Sequence, residues 1–303
     1  MKLAITGATG FVGQATLDVA LAKGHSVRAL ARSPQKPRDR VEWVRGALSD
    51  KDALANLVEG VDAVIHIAGL TNAPDPAQFE PANVGGTANV IEAAQNAGVR
   101  RFVFVSSLSA REPSLSAYGA SKAKAEELVE ASGLDWTMVR PPGVYGPRDK
   151  DYLDLFKAAK LGIVPLPPKG KSSLIHVEDL GRLLVALSAS NPIAYRQTYE
   201  PWDDNAFGYD HKELANLIGE AMGKQQIFAP NLPEGLMRLG AQIDQAVRGR
   251  RAKLTPDRVG YMTHPDWVCD IKKAPPISIW QAVWGGEAGL KMTAEWYKNE
   301  GWL

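Results

Sequence analysis

Short apolar runs alternate with segments of helical period through the first 140 residues. The β-rich runs fall at 3–6, 26–31, 41–45, 63–67, 101–106 and 136–140. Between them, apolar positions recur at helical spacing over 12–22, 52–58, 86–97 and 121–131. Asp50 stands where it can cap the second helix, and Gly24 and Gly98 stand where they can end the first and third. Strands joined by crossover helices run parallel, so the pattern predicts an α/β fold with a doubly wound sheet. Ligands of such sheets bind at the carboxyl ends of the strands.

The pattern changes after Arg140. Pro141, Pro142, Pro147, Pro165, Pro167 and Pro168 interrupt it, and helical segments follow at 152–161, 178–187, 210–222 and 232–247. A smaller, discontinuous second lobe is expected over 143–171 and 201–303. The first lobe takes 1–142 and 172–200, with a further strand near 197–200. The tryptophans after residue 200, Trp202 and Trp280 among them, read first as core of the small lobe and second as an apolar cleft.

Composition narrows the class. A chain of 303 residues, 45% apolar and 23% charged, is ordinary for a soluble globular protein. Its net charge of +1 provides no overall field for nucleic acid or an anionic membrane. The run Arg248-Gly249-Arg250-Arg251 is a local exception, read as a solvated turn. No apolar stretch reaches the ~18 residues of a membrane span. A strand already begins near Lys2, so no leader is expected and the location is read as cytoplasmic. Cys269, the single cysteine, reads as a small buried filler in a strand. His66, His176 and Glu178 have no metal-ligand spacing, and no metal is expected; His66 reads as a structural hydrogen-bonding residue.

The chemistry starts at Thr6-Gly7-Ala8-Thr9-Gly10-Phe11-Val12-Gly13, between the first strand and the first helix. Gly7 permits a tight turn, Gly10 lets backbone approach a pyrophosphate, and Gly13 lets the helix sit close to the sheet. The helix start then offers free N–H groups and a positive dipole end. Gly7, Thr9, Gly10, Phe11, Val12 and Gly13 are therefore candidate contacts for a nicotinamide dinucleotide in a Rossmann-type lobe. The second strand ends in Ala31-Arg32-Ser33. An acid in that place would bind a ribose 2′-hydroxyl, whereas the Arg32 guanidinium can pair with a 2′-phosphate. Arg32 favours NADP(H), with NAD(H) left open.

Tyr118-Gly119-Ala120-Ser121-Lys122 sets a phenol and an ammonium on one helix face at i, i+4. A nearby cation favours the phenolate of a group whose free pKa is ~10. Tyr118 can then exchange a proton with a substrate oxygen while hydride passes to or from a nicotinamide. Ser107, just past the fifth strand, can hydrogen-bond the same oxygen.

These motifs, in this order, resemble the extended short-chain dehydrogenase/reductases, the NAD-dependent epimerase/dehydratase family. The matching stretches are TGATGFVG from Thr6, DAVIHIAG from Asp62, NVGGTANVIEAA from Asn83, RFVFVSS from Arg101, YGASK from Tyr118, RPPGVYGP from Arg140 and HVEDL from His176. The closing WYKNEGWL resembles members similar to dihydroflavonol reductases and 3β-hydroxysteroid dehydrogenases. The resemblance implies Tyr118 as acid/base, Lys122 as its activator and ribose ligand, and Ser107 as the group that orients the substrate oxygen. It implies cofactor contacts at Leu48, Ala68, Gly69, Pro141 and Val144, support of the site from Asn83, and docking of the lobes through His176.

There are departures. Ala47 stands where the family commonly has an adenine-contacting acid, Leu108 and Ser109 follow Ser107 in place of the Asp-Glu of dehydratases, and Gly143 replaces an asparagine of many sugar-nucleotide enzymes. The expected activity is hydride transfer between NAD(P)H and a carbonyl or secondary alcohol. An epimerase of a sugar or sugar nucleotide is the first alternative, and a non-catalytic NADP(H)-binding structural or regulatory protein the second. The partner is a small-molecule substrate, with a homodimer through 86–97 and 121–131 as a family-level expectation.

Overall fold

The computed structural model describes residues 1–249 and 252–303, so Arg250 and Arg251 of the basic run lie outside the described residues. The chain forms two compact units. The first comprises Met1–Arg140, Leu180–Tyr199 and Ala274–Gln281, and the second comprises Pro141–Asp179, Glu200–Lys273 and Ala282–Leu303.

In the first unit the strands are β1 (Lys2–Thr6), β2 (Ser26–Ala31), β3 (Val41–Arg45), β4 (Ala63–His66), β5 (Arg101–Val105) and β6 (Asp135–Val139). A seventh strand, Gln197–Tyr199, joins the edge beside β6. The sheet order is Gln197–Tyr199, β6, β5, β4, β1, β2, β3, and every pairing is parallel. The order reverses between β1 and β4, so the crevice of this α/β sheet opens beyond their carboxyl ends.

Four of this unit's helices are α1 (Phe11–Ala22), α2 (Lys51–Val58), α3 (Gly86–Asn96) and α4 (Ala117–Ala131), and most of the helix Val177–Leu187 also belongs to it. Asp50 caps α2 by accepting from Ala53 N. Helix α4 begins four residues before the periodicity predicts. The Ser116 side chain accepts from Gly119 N and stabilises a first turn that has no apolar stripe of its own. Leu54, Leu57, Val90, Ala94 and Val129 pack on Val64, Phe102, Phe104 and Met138 to form one side of the core. Burial of Phe102 and Phe104 contributes about 2–3 kcal/mol each. Arg101 is also buried, its guanidinium donating to the carbonyls of Leu187 and Asp135 and to Thr137 Oγ1.

The second unit is built from shorter pieces. Gly143–Tyr145 pairs in parallel with Leu174–His176, and Lys171–Ser172 lies between Tyr209–Asp210 and Asp266–Trp267. Helices Tyr152–Lys160, His211–Ala221 and Gly286–Asn299 supply Phe156, Ile218, Leu290 and Tyr297 to its core. Cys269 is buried but lies beyond the strand Asp266–Trp267, its Sγ 3.4 Å from Pro201 O.

Helix α1 sits so close to the preceding loop that a Cβ on Gly13 would lie 1.9 Å from Gly7 O. Gly13→Ala forces the helix off the sheet and is expected to cost about 2–4 kcal/mol, read by urea unfolding. An unchanged unfolding midpoint would show that α1 can shift without penalty.

Candidate active site

The loop after β1 is shaped by contacts that only glycine tolerates. Gly7 has φ +75°, and a Cβ there would meet Ala68 N at 2.7 Å. Gly10 N donates back to Gly7 O at 2.9 Å, closing the turn. Gly10 is also the N-cap of α1, where no side chain caps the helix and no acid occupies the first turn. Thr9 and Gly10 are exposed, and Phe11 and Val12 are half-buried. The site has the free N–H groups, the positive helix end and the bare backbone that a pyrophosphate requires. These residues fit a dinucleotide.

Around this loop, β2 ends at Ala31, which leaves the Arg32 side chain exposed at the carboxyl edge of the sheet. Leu48 packs against the core, accepts from Asn89 Nδ2 through its carbonyl, and fills the space where a Gly86 side chain would be. A Cβ on Gly69 would lie 2.9 Å from Asn83 Oδ1.

A buried hydrogen-bond chain links the ends of β1 and β4 to α4. The amides of Ile67 and Ala68 donate to Thr6 Oγ1, which lies 2.7 Å from His66 Nδ1. On its other side, His66 Nε2 lies 3.0 Å from Thr87 Oγ1, whose hydroxyl donates to Asn83 O at 2.6 Å. Thr87 has spent its proton, so His66 Nε2 must be the donor and Nδ1 the acceptor. Asn83 lies in a π-helical turn, Glu80–Gly85, that leads into α3. Its side chain accepts from Leu70 N and donates to Leu70 O and Ser121 Oγ. Ser121 Oγ in turn donates to Tyr118 O at 2.7 Å. The chain therefore ends on the first turn of α4.

Tyr118 and Lys122 share one face of that helix, and both are buried. The Tyr118 ring packs on Phe79, their centroids 5.8 Å apart. Lys122 Nζ donates to Val105 O at 2.7 Å, the last residue of β5, and sits 4.3 Å from the centroid of Phe104. Burial lowers its pKa to about 8, while Glu126 works in the opposite direction. Ser107 follows that strand and is half-buried, its Oγ accepting from Ser109 N and donating to Ser109 Oγ. The first unit thus brings together the glycine loop, Arg32, Ala68, Gly69, Ser107, Tyr118 and Lys122 near the carboxyl side of its sheet. Pro141 and Val144 belong to the second unit. His66 and Asn83 join the two halves of the arrangement, yet their partners lie 13 to 60 positions away, where no spacing signals them.

A family described as NAD(P)H-binding matches residues 7–188, more than half of the chain. The chain belongs to that family. It is an NAD(P)-dependent enzyme of the extended short-chain dehydrogenase/reductase type. Ceramide reductase of Caulobacter vibrioides is 34% identical over 309 residues, covering 99% of this chain and 96% of that protein. The 2-alkyl-3-oxoalkanoate reductase of Stenotrophomonas maltophilia is 33% identical, covering 80% and 82%. MoeE5, solved with UDP-glucose and NAD, shares the fold with a TM-score of 0.75 over 99% of both chains at 22% identity. A Cβ at Gly143 would lie 2.3 Å from the Tyr152 hydroxyl, the far end of that side chain.

His66 is held neutral. Burial, with a smaller effect from the Lys122 charge, lowers its pKa to about 3. The unfolded chain takes up that proton below about pH 6.5, whereas the folded chain does not. Stability should therefore fall from pH 6.5 toward 3, by up to about 1.4 kcal/mol per pH unit from this residue. His176, lowered to about 4 by burial, adds a slope of the same sign. Urea unfolding of His66→Gln at pH 7, 6 and 5 should show a shallower acid dependence than the wild type. Parallel slopes would remove His66 from the account.

Proposed function

We propose that the chain is an NADP(H)-preferring oxidoreductase that interconverts a carbonyl and the corresponding secondary alcohol on a long-chain lipid-like substrate. The observation that carries the chemistry is the buried Tyr118–Lys122 face of α4, tied by Lys122 Nζ to the end of β5. In reduction the nicotinamide, when bound, supplies hydride to the carbonyl carbon. Tyr118 gives its phenolic proton to the carbonyl oxygen as the C=O π pair moves onto that oxygen. Lys122 favours the phenolate that remains, and its buried position makes that interaction stronger than in water. Ser107 orients the same oxygen by donating a hydrogen bond in place of its bond to Ser109. The glycine loop and the start of α1 hold the pyrophosphate.

The lipid-like substrate class rests on the names of two long-matching relatives, a ceramide reductase and an oxoalkanoate reductase. Glycine at 143, where the resembled sugar-nucleotide enzymes often carry asparagine, weighs against a sugar nucleotide. The preference for NADP(H) rests on Arg32 and on the lack of an acid at the end of β2.

With a long-chain ketone and NADPH, the wild type should lose absorbance at the nicotinamide band, which an epimerase would leave unchanged. Tyr118→Phe should bind NADPH as the wild type does and lose a hundredfold or more in turnover, on the order expected for a general acid. Near-full activity in that variant would sink the mechanism. Arg32→Glu should weaken NADPH about tenfold or more and leave NADH nearly unchanged, because it trades a charge-assisted pair for repulsion. A fluorescence titration reads both, and an unchanged NADPH-to-NADH ratio would take the 2′-phosphate away from Arg32.

A further inference from the structure

Helix α4 carries a third ionisable side chain on the face that holds Tyr118 and Lys122. Glu126 follows Lys122 at the same spacing of four and is buried with it, only 5% exposed. An ammonium and a carboxylate at that spacing attract each other, yet these two are not in contact. Lys122 Nζ donates to Val105 O instead. Both Glu126 oxygens are taken by Arg140, whose Nε donates to Oε1 at 2.8 Å and whose Nη2 donates to Oε2 at 2.6 Å. Arg140 directly follows β6, and Val139, the last residue of that strand, is the register partner of Val105. The Val105 carbonyl and the Arg140 guanidinium therefore hold the two side chains from the ends of neighbouring strands. A two-point guanidinium–carboxylate pair fixes orientation as well as distance. Without it, a buried carboxylate would stand uncompensated one turn from the Lys122 charge.

We propose that Arg140 and Glu126 are positioning residues for proton transfer at Tyr118. Arg140 holds the Glu126 carboxylate, which would otherwise close on Lys122 and cancel the positive potential at the phenol. The inference deepens the proposed function and rests on its reading of Tyr118 and Lys122. Even when held by Arg140, Glu126 acts on Lys122 in favour of the charged form, against the larger effect of burial. In contact it would act far more strongly, because the interaction grows as the charges approach and is little screened in a buried site. Tyr118 would then face an ion pair in place of a cation, and its phenolate would lose the support that a lone ammonium gives. Other groups leave this balance to Arg140. His66, at the end of β4, is held neutral. Lys124, about 200° around α4 from Lys122, is paired with Glu80 of the π-helical turn.

The test reads the ionisation of Tyr118 without turnover. Phenolate absorbance of the full chain with NADP+ is followed across a pH series, and each protein is compared with the same protein carrying Tyr118→Phe. Glu126→Gln removes the carboxylate and keeps the Arg140 charge, so the Tyr118 titration should move to lower pH. Arg140→Met releases the carboxylate toward Lys122 and should move the titration up by about one pH unit or more, the scale set by a charge a few ångströms away. In the Glu126→Gln background the same Arg140→Met change should have half that effect or less, because its main route is gone. Arg140→Lys keeps the charge but holds the carboxylate at one point. It should shift the titration upward by less than Arg140→Met, and it carries the test if Arg140→Met fails to fold. The rising limb of alcohol oxidation, measured with NADP+ and a long-chain secondary alcohol, should move with the titration in every variant. A pair that only stabilises the fold would lower the thermal midpoint and move neither. The inference is overturned if the titration stays in place in folded Glu126→Gln and Arg140→Lys. It is also overturned if Arg140→Met shifts it equally in both backgrounds, which would assign the effect to the Arg140 charge itself. Either result with Tyr118→Phe inactive removes this inference alone, whereas near-full activity in Tyr118→Phe removes the proposed mechanism beneath it.

Discussion

The first unit depends on a neutral imidazole with both nitrogens committed. His66 sits wholly buried at the end of β4, and its ring stacks 5.6 Å from Phe104. It joins Thr6 at the end of β1 to Thr87 in α3. Those contacts orient the loop after β1, the residues after β4 and the turn before α3. Thr6 holds the amides of Ile67 and Ala68, against which Gly7 turns. Thr87 holds the carbonyl of Asn83, and Asn83 reaches α4 through Ser121. An uncompensated buried polar group costs about 1–3 kcal/mol, so each member of this chain requires the next. A protonated His66 would have no acceptor for its second N–H. The nearby Lys122 charge adds to that penalty, and the network therefore exists in one protonation state.

This constraint explains why the phosphate loop and the Tyr118 helix hold a fixed relation although no sheet hydrogen bond joins them. The glycine loop belongs to β1 and α1, whereas Tyr118 and Lys122 belong to α4, about 110 residues later. Two links span the gap. One is the polar chain through His66 and Asn83, and the other is Lys122 Nζ on Val105 O. Catalytic geometry in such an enzyme needs both ends of a dinucleotide and the proton-transfer group in register, which loops alone hold poorly. Here the register is set by side chains buried inside the first unit, His66, Asn83 and Lys122 among them.

The sequence makes the scaffold legible because its signals are local. Short apolar runs and period-3.6 segments give β1 to β6 and α1 to α4 of the first unit, and even the edge strand near Gln197 shows itself. The glycine loop and the Tyr-x-x-x-Lys spacing are also local, and they fall between β1 and α1 and on the first turns of α4. What the sequence hides is long-range or small. The start of α4 was invisible because Ser116, not apolar period, stabilises its first turn. The π-helical turn that aims Asn83 at Leu70 and Ser121 has no pattern of its own. The strands of the second unit run only two or three residues, too short for any periodicity.

Lys122 shows what the arrangement costs. A buried ammonium is unfavourable, and here burial lowers its pKa to about 8. The protein offsets part of that penalty with the Val105 carbonyl, the face of Phe104 and the more distant Glu126 carboxylate. None of these is a full counter-ion in contact, so the lysine keeps an unneutralised charge within the helix that carries Tyr118. A close salt bridge would stabilise the fold further, but it would cancel the field that favours a phenolate. The incomplete pairing of Lys122 is thus consistent with a site that gives up some stability to keep a positive potential where a proton is to be moved.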